Sequence, residues 1–112
     1  MKFKIGIYCR KSSGIEKDNV SIKIQKENGI KFCKKNKFDF EVFSEVVSGG
    51  DLERRIFNEM IEKIKSGEIG GVWVFKYDRL ERNLEMMVRF RNICIEYNLK
   101  FWVGDEEYNL ND

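Results

Sequence analysis

Residues 71–75 read Gly-Val-Trp-Val-Phe, an apolar run too short for a helix and lacking the polar alternation of a strand with one wet face. Such a run predicts a strand buried on both faces, the kind found in parallel sheets with helices above and below. The sequence on either side agrees. Residues 53–65 carry Phe57, Met60, Ile61 and Ile64 at helical spacing and stop at Ser66-Gly67. Residues 84–98 form a second amphipathic pattern, with Met87, Phe90, Ile93, Cys94 and Tyr97 inward, and residues 99–103 a further strand. On the N-terminal side, residues 2–9 (KFKIGIYC) alternate, with Phe3, Ile5 and Ile7 on one face, Tyr8 and Arg10 on the other, and Arg10 where the strand ends. A polar loop over 11–19 follows. Ser21 is suited to cap a helix running to about residue 36, with Ile22, Gln25, Gly29, Phe32 and Cys33 inward and Lys23, Lys26, Lys31 and Lys34 facing water. Residues 38–47 read as another strand, closed by a Ser48-Gly49-Gly50-Asp51 turn whose glycines permit positive φ.

Strands alternating with helices of this length predict an α/β domain: three layers, a mostly parallel four- or five-stranded sheet, and helices on both faces. At 112 residues the chain has room for one domain, over 1–112. Its 42% hydrophobic and 13% aromatic content can fill a core, while charged residues interrupt every apolar stretch long before the roughly 18 residues a membrane span requires. No membrane partner is expected. Cys9, Cys33 and Cys94 form no close pair, which suits a reducing cytoplasm, and the absence of histidine and of a CxxC pair argues against zinc. Net charge is only +2, but it is divided: residues 1–40 hold eleven basic and four acidic side chains, so the basic half suits a polyanion.

In an open parallel sheet, ligands bind beyond the carboxyl ends of the strands. Three segments meet there, and they bring Ser12, Ser13, Ser48, Arg10, Arg54, Arg55, Arg79 and Arg82 to one edge, with Asp78 and Gln25 near them. Guanidinium forks hold phosphate oxygens and stabilise the added negative charge of a five-coordinate phosphorus. Cations beside a serine hydroxyl ease its deprotonation, and a chain without histidine cannot be a Ser-His-Asp hydrolase. The stretch from Gly6 to Ser12 lacks the second glycine of a nucleotide-binding P-loop. Cys9 alternates to the face opposite Tyr8 and Arg10, which makes it core filler rather than a nucleophile.

Four segments together resemble the catalytic domain of the serine site-specific recombinases: the resolvases, invertases and large phage-type integrases. Tyr8-Cys-Arg10-Lys-Ser12 is similar to that family's Tyr-x-Arg-x-Ser opening, Ser21 to Gln25 to its glutamine-bearing helix, Val47 to Arg54 to its Ser/Arg segment, and Asp78-Arg79-Leu80-Glu81-Arg82 to its Asp-Arg-Leu-x-Arg motif. Arg55 departs from the usual proline, and Glu81 stands where serine or glycine is common.

The resemblance implies DNA strand exchange in which Ser12 attacks the scissile phosphate and forms a 5′-phosphoserine link, without metal, ATP or any small-molecule cofactor. It implies phosphate-binding roles for Arg10, Arg54, Arg79 and Arg82, a positioning or proton-handling role for Asp78, and supporting hydrogen bonds from Tyr8, Gln25 and Ser48. The implied partners are DNA and, within a longer protein, further copies in a homodimer or tetramer, in a bacterial or phage-encoded cytoplasmic setting. The alternative is a recombinase-like module, inert by itself, that serves assembly. A flavodoxin-like nucleotide-binding domain shares the fold, but it leaves the convergence of serine and arginines unexplained.

Overall fold

The computed structural model describes residues 3–12, 21–47, 55–76 and 84–108. Strand and helix alternate as β1 (Lys4–Ser12), α1 (Ile22–Lys35), β2 (Asp39–Val47), α2 (Arg55–Lys65), β3 (Ile69–Val74), α3 (Leu84–Tyr97), β4 (Lys100–Val103) and β5 (Glu106–Tyr108). They build one five-stranded sheet in the order β2-β1-β3-β4-β5. The first four strands are parallel, and β5 folds back antiparallel on β4. This is the predicted three-layer α/β architecture, with α1 on one face and α2 and α3 on the other.

Alternation along the strands divides the core in two. Val72 and Val74 of β3 join Tyr8, Phe57, Met60, Ile61, Phe90 and Phe101 beneath α2 and α3. Trp73, between them, joins Ile5, Ile7, Cys9, Phe32 and Trp102 beneath α1. The run is therefore buried on both faces from Gly71 to Val74, as its composition requires, and Phe75 is half-buried. A single helix covers the second face, and bulky rings complete it: Phe32 lies 5.5 Å from Trp102 and 6.4 Å from Trp73, centroid to centroid.

α1 begins where its sequence indicates, because Ser21 holds extended backbone and its hydroxyl accepts from the Ile24 amide at 3.2 Å. It ends at Asn36, after which Lys37 takes φ 61 and turns the chain into β2. The stripe facing the sheet is Gln25, Gly29, Phe32 and Cys33, and Lys23, Lys26, Lys31 and Lys34 are exposed. Gly29 is needed for close approach. A Cβ there would stand 2.5 Å from Ile7 Cγ2 and 2.9 Å from Trp73 Cε3, both inside van der Waals contact.

Three features differ from the sequence reading, and a fifth strand, which that reading allowed, is added at the C-terminal side. β1 continues through Lys11 to Ser12, because β2 runs beside it until Ser12 pairs with Val47, so Arg10 lies inside the strand and not at its end. β3 starts at Ile69 and stops at Val74, so Phe75 falls outside it. Tyr97 lies on the inward stripe by spacing yet is 39% exposed, since it closes the last turn, just before Asn98 (φ 52) bends the chain toward β4. The fifth strand follows a two-residue Gly104-Asp105 turn in which Gly104 supplies φ 61. The remainder of the 11–19 loop and the Ser48-Gly49-Gly50-Asp51 turn lie outside the described residues.

Gly29→Ala sets better helix propensity, worth about 1 kcal/mol, against overpacking that costs about 1–3 kcal/mol. Because two rigid neighbours bound the site, a net loss of about 1–2 kcal/mol is expected in urea unfolding. Asn28→Ala, one residue away and exposed, should leave the midpoint unchanged or raise it slightly.

Candidate active site

β1, β2 and β3 are parallel, so their carboxyl ends share one edge of the sheet. The final residues there are Ser12, Val47 and Val74. Ser12 closes β1 directly opposite Val47, and Ser48 follows Val47 in the chain. Arg54 immediately precedes α2, and Asp78, Arg79 and Arg82 lie between β3 and α3. Of the predicted site residues, Tyr8, Arg10 and Gln25 are described in full, and Ser12 by its backbone. Ser48, Arg54, Asp78, Arg79 and Arg82 lie outside the described residues.

β3 pairs with β1 only as far as Tyr8, which is opposite Val74. Two residues beyond, no strand lies on that side of β1 among the described residues, and Gln25 of α1 takes the place a strand would fill. Its Oε1 accepts from the Arg10 amide at 3.1 Å, and its Nε2 donates to the Arg10 carbonyl at 2.9 Å. Gln25 is fully buried and Arg10 is 2% exposed. A buried peptide group without partners costs about 1–3 kcal/mol for each unmet donor or acceptor, so one side chain satisfies both and carries β1 forward to Ser12. Gln25 is thereby tied to Arg10's backbone through both ends of its amide.

Tyr8 points to the α2/α3 face and packs edge-on against Phe57, with ring centroids 5.5 Å apart. Its hydroxyl donates to Glu45 Oε2. The other oxygen of the same carboxylate, Oε1, accepts from the Ile56 amide at 3.3 Å, at the start of α2. A carboxylate suits this position, where orphan amides and the positive end of the helix dipole both favour negative charge. Glu45 thus joins β1, β2 and the start of α2, whose preceding residue is Arg54. The sequence reading missed it. The available signal was alternation in β2, which puts Glu45 on the same face as buried Phe43, an inward carboxylate that calls for a partner.

Cys9, although next to Arg10, is fully buried on the α1 face. Burial pushes its thiol up to about 12, so near neutral pH it is the inert SH form and packs as a small apolar group. Cys33 and Cys94 are likewise buried and free. Among the described residues, no group of three or more His, Cys, Asp or Glu side chains is gathered in a way that could hold a metal. No described helix is long and apolar enough to cross a membrane.

The family model for the resolvase N-terminal domain matches residues 5–112. The chain belongs to that family. Solved structures similar to this resolvase domain include the N-terminal catalytic domain of TP901-1 integrase, at TM-score 0.77 and 23% identity, covering 97% of this chain and 82% of that one. A resolvase family site-specific recombinase from Streptococcus pneumoniae aligns at TM-score 0.72 and 26% identity, covering 95% and 76%. The C-terminal catalytic domain of ISC1926 TnpA, an IS607-like serine recombinase, shares the fold at TM-score 0.76 and 18% identity, covering 93% and 71%. No curated protein matches the chain by sequence. Family membership, with recombinase domains as structural neighbours, supports site-specific recombination as the activity this resolvase domain serves.

The Glu45 junction predicts an energetic coupling. Glu45→Ala removes the acceptor for both the Tyr8 hydroxyl and the α2 amide and should cost about 1–3 kcal/mol, whereas Tyr8→Phe removes a donor together with its need and should cost less. In a double-mutant cycle by urea unfolding, the pair should couple by about 1 kcal/mol. Strict additivity would mean that the contact carries no stability.

Proposed function

We propose that this domain carries the nucleophile of a serine recombinase, and that Ser12 attacks the scissile phosphodiester. The observation that supports it is the placement of Ser12 as the last residue of β1, two residues beyond the buried Arg10 whose backbone Gln25 clamps, at the sheet edge where the parallel strands end. Attack forms the Ser12 Oγ–P bond and breaks the bond from phosphorus to the 3′ oxygen. This leaves a 5′-phosphoserine link and a free 3′-hydroxyl. The serine proton is lost and the leaving oxygen gains one, and the bond energy is retained in the phosphoester until an exchanged 3′-hydroxyl reverses the step.

Arg10, Arg54, Arg79 and Arg82 serve to bind and polarise the phosphate, as guanidinium forks can do and ammonium groups do less well. Asp78 orients one of these arginines or handles a proton. Tyr8 acts through Glu45 and the start of α2, and Gln25 acts through the Arg10 backbone. Ser48 completes the hydrogen bonding. Residues 1–112 work as the catalytic domain, in the cytoplasm, on DNA held by a homodimer or tetramer, and the chemistry calls on no cofactor.

The test is covalent trapping on a nicked suicide duplex, using the protein as its own gene expresses it. A band stable to SDS that disappears in Ser12→Ala and persists in Ser13→Ala is expected. Arg10→Lys should reduce it by about 100-fold or more, in line with loss of one well-placed transition-state donor. Equal trapping by Ser12→Ala would overturn the assignment of the nucleophile. DNA pairing by the wild-type protein without any covalent product would favour the non-catalytic assembly module.

A further inference from the structure

The three helices carry their charge differently. α2 pairs two of its lysines: Lys63 lies 2.5 Å from Glu41 of β2, and Lys65 is 3.9 Å from Glu62 within the helix. α3 mixes Arg89 and Arg91 with Glu85 and Glu96. α1 holds five lysines, Lys23, Lys26, Lys31, Lys34 and Lys35, against the single acid Glu27, and Lys37 extends the series just past its end. All six are exposed, and none takes part in an ion pair among the described residues. The buried stripe of α1 faces the sheet through Gln25, Gly29, Phe32 and Cys33, so Lys23, Lys31 and Lys34 project from the opposite side.

The remainder of the domain increases the asymmetry. α1 lies over β1 and β2, at one edge of the sheet order, while exposed Asp105, Glu106 and Glu107 occupy the β4–β5 hairpin at the other. Among the described residues, α1 and the β4–β5 hairpin therefore set opposite charge at the two sides of the sheet, as a dipole, with Asp39 the exposed acid of the β2 edge. A polyanion orients such a dipole with the α1 edge toward itself. The N-terminal turn of α1 also stands at the active-site edge, since Gln25 reaches the Arg10 backbone there.

We propose that the outward face of α1 is a second phosphate-contacting surface, separate from the active site, that docks on the backbone of duplex DNA without reading its sequence. The proposal rests on the reading of DNA as this domain's substrate. From Lys23 to Lys35 the helix spans about 18 Å at its 1.5 Å rise, a length over which duplex DNA presents on the order of ten negative charges. Uncompensated ammonium groups spread over such a length give binding through counterion release and little sequence preference. Holding the duplex along α1 would keep a phosphate near Ser12 between productive encounters.

The experiment is fluorescence anisotropy of the purified chain with a labelled duplex of arbitrary sequence, read from 50 to 200 mM KCl. Lys23→Gln/Lys31→Gln/Lys34→Gln should lower the slope of log K against log salt by about 2–3, close to 0.9 per lost phosphate contact. Lys65→Gln/Arg91→Gln/Lys100→Gln removes the same charge from exposed positions on other elements and should change it far less. Equal slopes for the two triple variants, or no binding of the wild-type chain at 50 mM KCl, would overturn the α1 surface. So would equally strong binding of poly-L-glutamate, because the face would then suit an acidic protein. None of these results bears on Ser12-dependent trapping in the protein as its own gene expresses it, so failure here and failure of the recombinase reading are separable.

Discussion

The architecture of the site depends on one buried side chain closing one peptide gap. β3 ends opposite Tyr8, yet β1 must reach Ser12, and the amide and carbonyl of the buried Arg10 call for partners beyond that point. Gln25 answers both groups from the α1 side, as a neighbouring strand would. The rest of α1 follows from where that amide must sit. Four residues on, Gly29 allows the helix axis to approach Ile7 and Trp73. One turn farther, Phe32 fills the broad aromatic end of the same face. The stripe passes from polar at the site edge, through minimal in the middle, to bulky at the far end, and each step suits the sheet beneath it.

A second junction holds the other face. Glu45 accepts from Tyr8 and from the first turn of α2, so the carboxyl ends of β1 and β2 and the start of α2 are linked through one carboxylate. The two junctions meet on β1 at Tyr8 and Arg10, alternate residues on the same face of the strand. A serine placed two residues past Arg10 therefore extends from backbone fixed on both sides, which is what a nucleophile requires for alignment with a phosphate.

Much of this is legible in the sequence, for identifiable reasons. α1 can be read to its caps because Ser21 and the stripe from Gln25 to Cys33 are local signals, and Val72, Trp73 and Val74 declare a strand buried on both sides by composition alone. The end of β1 is less legible, since the strand outlasts its own apolar alternation. What keeps Lys11 and Ser12 extended is pairing with Val46 and Val47, which are distant in sequence. Glu45 escapes for a related reason: its partners Tyr8 and Ile56 come from other elements. Gln25 is visible as an inward polar residue, but its task, closing the gap at Arg10, can be seen only once the short reach of β3 is known. Tyr97 shows the limit of periodicity, which assigns a direction to a side chain but not whether the helix end has anything to pack against.

Amide hydrogen exchange at Arg10 tests this account most directly. In the wild-type domain the Arg10 amide should exchange as slowly as the core amides of β1, because a buried side chain holds it. In Gln25→Ala its protection should collapse toward that of an open strand end, while Ile5 and Ile7 remain protected. Fast exchange of Arg10 in the wild-type domain, or undiminished protection in Gln25→Ala, would contradict the claim that Gln25 holds the end of β1 and, through it, the position of Ser12.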